Sequence, residues 1–130
     1  VSKDYNVSEL QAAISNKNLA KAITIIQYFE GNPKAGPIQL VLPSLYGHFS
    51  KVLTIFQMND KSERALKPMF FMNPFLETQA METMWNYSYG GVEQALMLLH
   101  EYNLKSVGSN NPGNSDAALM KELAVKIMNV

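Results

Sequence analysis

Apolar positions recur three and four residues apart along almost the whole chain, and no stretch keeps the period of two that marks a half-buried strand. The pattern predicts an all-α fold: a compact helical bundle of about six to seven helices. Asn6 followed by Glu9 reads as a capping box opening a short helix from about Val7 to Ser15. Asn16, Lys17 and Asn18 make a turn. The next helix carries Leu19, Ala22, Ile23, Ile26 and Phe29 on one face and stops at Gly31, Asn32 and Pro33. Pro37 opens a long apolar stretch through Met58, with Leu42, Leu45, Tyr46, Phe49, Val52, Leu53 and Phe56 as its predicted buried face. Pro43 inside that stretch predicts a kink or a fresh start. Gly47 on the same helix either admits a close neighbour or is a tolerated glycine costing about 1 kcal/mol relative to alanine.

Asp60 and Glu63 read as a second capping box, followed by a short helix to about Phe70. Asn73 and Pro74 carry the strongest local punctuation: a capping side chain, then a residue with no N–H to satisfy in the first turn. That helix ends near Tyr87, and Ser88 through Gly91 reads as a turn. Val92, Ala95, Leu96, Leu99 and Tyr102 mark the next amphipathic helix. Ser106 to Asn114, rich in Gly, Ser and Asn, is expected to be the most mobile loop. Ser115 caps a last helix whose buried stripe is Leu119, Leu123 and Ile127. Residues 1–130 thus read as a single helical domain. Val1 to Asn6 reads as the tail of a preceding segment, as in a domain excised from a longer protein.

Composition narrows the function more than the fold. The chain is 47% hydrophobic and 17% charged, with eleven basic residues against eleven acidic ones, so it lacks the basic excess that non-specific DNA binding draws on. The charges read as solvated helix surface, although Lys17, Lys21, Lys61, Arg64 and Lys67 can gather into local patches. With no cysteine there is no disulfide, no thiolate metal site and no cysteine nucleophile, which fits a reducing cytoplasm. No apolar run approaches the roughly 20 residues of a membrane helix.

Candidate chemistry is sparse. His48 and His100 are distant in sequence and lack a second ligand at metal spacing, so both read as exposed or partly packed. Phosphate-binding glycine loops and nucleophile elbows are missing from the sequence. Glu77 and Glu82, five apart, do not share a helix face. No catalytic, cofactor-binding or metal-ligating residue is assigned, and no cofactor is expected. The sequons at Asn6 and Asn86 fall at helix ends, where capping accounts for them.

The aromatic residues carry more information. Phe70, Phe71, Phe75, Trp85, Tyr87 and Tyr89 fall within twenty residues, interleaved with Met69, Met72, Met81 and Met84. One helix face cannot bury them all. Core packing accounts for part of the set. For Phe71, Phe75, Trp85 and Tyr89 the reading is a subunit interface, where aromatic residues and Met are enriched. Stacking on nucleic acid is the alternative, but no Lys or Arg is interleaved between Phe70 and Tyr89.

Several blocks combine in a definite order: Glu9 to Ala13, Lys21 to Ile26, Gly36 to Ile38, Leu45-Tyr46, Phe49 to Lys51, Asn73 to Phe75, Glu101 to Ser106, and Glu122-Leu123. In this order and spacing the chain resembles the C-terminal domain of the delta subunit of bacterial DNA polymerase III, part of the sliding-clamp loader, in its Bacteroidetes-type form. The resemblance spans nearly the whole chain. It implies a collar domain of five to six helices that supports DNA replication by holding the loader together in a ring with the gamma/tau and delta-prime type subunits. It further implies a non-catalytic, cytoplasmic subunit of the DNA-directed DNA polymerase holoenzyme that hydrolyses no ATP, makes no membrane contact, and reaches the sliding clamp and DNA only through the parent assembly. Leu76 stands where the family often has a second aromatic, Val107 where a basic residue is common, and the Met-rich run from Met69 to Met84 is unusual for it. A helical nucleic-acid-binding module is the alternative function.

Overall fold

The computed structural model describes residues 3–108 and 115–130. Among these, seven α-helices and one 3-10 turn occur and no strand, so the chain is an all-α helical bundle. The helices are α1 (Val7–Ser15), α2 (Leu19–Gly31), α3 (Ile38–Gln57), α4 (Glu63–Leu66), α5 (Pro74–Asn86), α6 (Tyr89–Gly108) and α7 (Asp116–Ile127), with the 3-10 turn at Lys67–Phe70 between α4 and α5. None is long and apolar enough to cross a membrane.

Most of the starts are set by one short polar side chain. Asn6 Oδ1 accepts from the Glu9 N–H at 2.9 Å, Asn18 Oδ1 from Lys21 at 3.1 Å, and Ser115 Oγ from Ala118 at 3.1 Å. Asn73 Oδ1 takes two first-turn donors, Phe75 at 3.0 Å and Leu76 at 3.4 Å, ahead of Pro74. Two predicted starts move. Ser62, not Asp60, caps α4. Asp60 instead accepts from the Ser62 N–H at 2.9 Å in an Asx turn, which holds its carboxyl below the usual range. Ser88 to Gly91 is not a free turn: Ser88 Oγ accepts from the Gly91 N–H at 3.0 Å, and Gly90 and Gly91 lie inside the first turn of α6. The run Ser88-Tyr89-Gly90-Gly91 reads as a loop until the hydroxyl supplies the cap. Helix α6 runs to Gly108, so the front of the predicted mobile loop is helical; 109–114 lie outside the described residues.

The spine of the bundle is α3, packed along α6 and contacted by α1 and α5, while α2 pairs with α7 and α1, and α6 with α7. Ile25, Ile26 and Phe29 from α2 meet in one core with Leu45, Phe49, Val52 and Ile55 from α3, Leu99 and Tyr102 from α6, and Leu123 and Ile127 from α7. The buried face of α3 is rotated from the expected one. Ile38, Val41 and His48 are inside, whereas Tyr46 is half exposed. Leu19 likewise lies outside the α2 face, which buries Ile25 instead. Pro43 neither ends nor restarts α3. Its ring removes an N–H aimed at the Gln39 carbonyl, but both residues are exposed, so that oxygen is open to solvent. A Cβ on Gly47 would meet nothing within 4 Å, so this glycine admits no close helix.

Among the described residues, no glycine uses positive φ. That conformation falls instead on Lys17, at the α1–α2 turn, and on the consecutive pair Phe71 and Met72, at φ 54° and 60°.

Candidate functional site

Helix α5 mixes polar and apolar residues on both of its sides. Its first turn is fixed by Asn73 and Pro74, and the side facing α1 and α3 carries Gln79 and Thr83, both fully buried, beside Ala80. Its outer side carries Phe75, Met81 and Trp85, of which Trp85 is 90% exposed. An isolated apolar residue on a surface needs no account, but a helix that buries an amide and a hydroxyl beside Leu76, Ala80 and Met84 while leaving Phe75 and Trp85 outward departs from the usual partition. The turn before it adds to this surface: Phe71 is 84% exposed and Met72 65% exposed, on backbone that bulky residues avoid.

The four residues expected at an interface are therefore distributed as follows. Phe71 and Phe75 flank the start of α5, and Trp85 lies ten positions on, roughly 15 Å along the helix and about 80° around it. They form an edge, not a cluster. Tyr89 opens α6 and is partly held: its ring meets Phe56 edge-on at 5.8 Å, and its hydroxyl accepts from Gln57 Nε2 at 2.9 Å. Phe70 and Tyr87, adjacent in sequence to exposed positions, are core. Lys51 Nζ lies 5.2 Å from the Phe71 ring centre, within cation–π range.

Inside α5, a polar network joins three helices. Ser15 Oγ donates to the Gln11 carbonyl at 2.8 Å, and Thr83 Oγ1 donates to the Gln79 carbonyl at 2.9 Å. With both hydroxyl protons engaged, the two oxygens accept from His48 Nε2, at 3.1 and 2.7 Å. This bonding assigns the imidazole proton to Nε2 and leaves Nδ1 as an acceptor facing Gln11 Nε2 at 3.5 Å. The other Gln11 amide proton goes to Gln79 Oε1 at 2.7 Å, and Ser44 Oγ donates to Gln11 Oε1 at 2.9 Å. His48 is thus held neutral; burial, with the Lys51 charge second, lowers its pKa from 6.5 to about 4.

The sequence reads His48 as exposed or partly packed; it is instead buried and the hub of this network. Its contacts come from residues 33 to 37 positions away, and no local spacing announces them. The Ser15–His48 separation would suit a nucleophile and its base, but the Ser15 proton is committed to a carbonyl and the side chain is sealed from solvent. No group of three or more potential metal ligands occurs among the described residues. His100 is exposed on α6 and makes none of the hydrogen bonds of this network. Asn6 and Asn86 are both occupied by structure, Asn86 Nδ2 donating to the carbonyls of Ser15 and Glu82.

The class that fold and surface define is an all-α bundle with a polar-backed helix bearing an aromatic outer edge. No protein-family model, curated protein or solved structure matches this chain.

Proposed function

We propose that this chain is an assembly module, the collar-type oligomerisation domain of a clamp-loader delta subunit, which binds neighbouring loader subunits through the outer edge of α5 and the turn before it. The single observation that supports the assembly role is the exposed aromatic edge of α5: Phe75 and Trp85 are turned out while Gln79 and Thr83 take inward positions. Covering apolar surface contributes roughly 25 cal/mol per Å² before association costs, and a large aromatic offers about 150–250 Å². Trp85 is the residue with most to gain from a partner. The choice of partners, gamma/tau and delta-prime type subunits, is supported by the ordered sequence blocks that resemble the delta collar.

A nucleic-acid role has less support, since Pro74 to Tyr87 carries Glu77 and Glu82 and neither Lys nor Arg. Co-purification of the full parent chain with the other loader subunits tests the proposal. Retention of those subunits by the intact chain and their loss with Phe71→Ala/Trp85→Ala is the expected result. Failure of the intact chain to retain them, or equal retention by the double variant, would overturn it.

A further inference from the structure

A cavity of about 250 Å³ opens between α1, α3, the 3-10 turn and α5. Pro43, Phe70 and Leu76 give it apolar walls, and Gly47 leaves its rim without a side chain. The lining includes one charged group, Lys51, and no carboxylate. Among the described residues Lys51 has no ion-pair partner; its ammonium lies 5.3 Å from the Phe70 ring centre.

The other polar groups of the lining are already committed. Ser44 gives its proton to Gln11 Oε1, both Gln11 amide protons point to His48 and Gln79, and the His48 proton points to Ser15 and Thr83. The cavity therefore presents one cation with free donors beside hydrocarbon. A phosphate needs several convergent donors, for which a single ammonium is a poor match. A neutral polar ligand would leave the Lys51 charge unpaired. The volume falls below the roughly 300–1,000 Å³ of sites for drug-sized ligands.

We propose that this cavity binds a small monocarboxylic acid with a hydrocarbon body, its carboxylate on Lys51 Nζ and its chain against Phe70, Leu76 and Pro43. The site opens on the α3 side of α5 and borders the proposed edge where Lys51 lies 5.2 Å from the Phe71 ring, but the proposal does not depend on whether that edge binds protein.

The test is titration of the full chain, followed by amide NMR shifts, with hexanoate, hexanamide and inorganic phosphate as probes. Saturable shifts at Gly47, Lys51 and Leu76 with hexanoate are expected, with affinity about tenfold or more above hexanamide and phosphate. Lys51→Met keeps the hydrocarbon stem and should weaken hexanoate about tenfold or more. Gly47→Leu, placed where a side chain has open space, should block the cavity while the spectrum stays folded. The proposal fails if hexanoate gives no saturable shifts at these residues, if hexanamide or phosphate binds as tightly, or if Lys51→Met binds hexanoate unchanged.

Discussion

The Tyr87 hydroxyl donates to the Ile14 carbonyl at 2.7 Å, tying the end of α5 to the last turn of α1. The same ring meets Phe49 edge-on at 5.4 Å and lies under the Lys17 ammonium at 4.5 Å, and its burial pushes the phenol pKa up. Tyr87→Phe removes the hydroxyl and keeps the packing. The Ile14 carbonyl retains the Lys17 N–H at 3.1 Å, so the expected loss is about 1 kcal/mol rather than the full cost of an orphaned group. Urea unfolding of the two proteins, compared at equal m-value, measures it.

Acid should destabilise the fold through His48. Its folded pKa is depressed from 6.5 to about 4, so its contribution is fully present above about pH 6.5 and is lost as pH falls through about 4. The difference corresponds to roughly 3 kcal/mol at most. His48→Leu should be less stable than the natural protein at about pH 7.5, because the Ser15 and Thr83 oxygens lose their donor. It should also show a flatter decline between about pH 6.5 and 4. Parallel urea midpoints across this range decide the point.

Phe71 offers a test that separates stability from the proposed recognition role. It sits at φ 54°, where glycine is at ease, and is 84% exposed, so Phe71→Gly gives up little burial. The relief of about 1 kcal/mol outweighs the roughly 0.5 kcal/mol of an exposed contact with Lys51. The melting temperature should hold or rise while partner capture falls. A clear drop in melting temperature would show that the ring supports the fold.

Two glycines should respond oppositely to alanine. A Cβ on Gly36 would come within 2.4 Å of the buried Phe29 ring, so Gly36→Ala should cost about 1–3 kcal/mol by overpacking. Gly47 faces open space inside a helix, and Gly47→Ala should add up to about 1 kcal/mol. Thermal or urea unfolding of both variants gives the signs directly.

The all-α class and most helix spans are legible in sequence because caps and apolar period agree at Asn6, Asn73 and Ser115. Interior assignments were less legible where a helix has two partly apolar sides. On α3, Tyr46 and His48 exchange the places that hydrophobicity suggests, because α1 and α5 bring hydroxyls and amides to the His48 side. The exposure of Phe71 and Trp85 goes with the same arrangement: Thr83 partners His48 and Gln79 Oε1 accepts from Gln11, so polar side chains occupy inward positions on α5 while Trp85 faces out. The capping serines at 62 and 88 were hidden by neighbouring Asp60 and by the Gly90-Gly91 pair.

Helix α5 is held inward by hydrogen bonds together with Leu76, Ala80 and Met84, but it buries fewer large apolar side chains than α3, and so it should open before α3 does. Its backbone amides should exchange with deuterated solvent ahead of those in α3, and slow markedly once a neighbour clamps the aromatic edge. Assembly would then finish a structure that the isolated chain leaves loosely fastened at one helix.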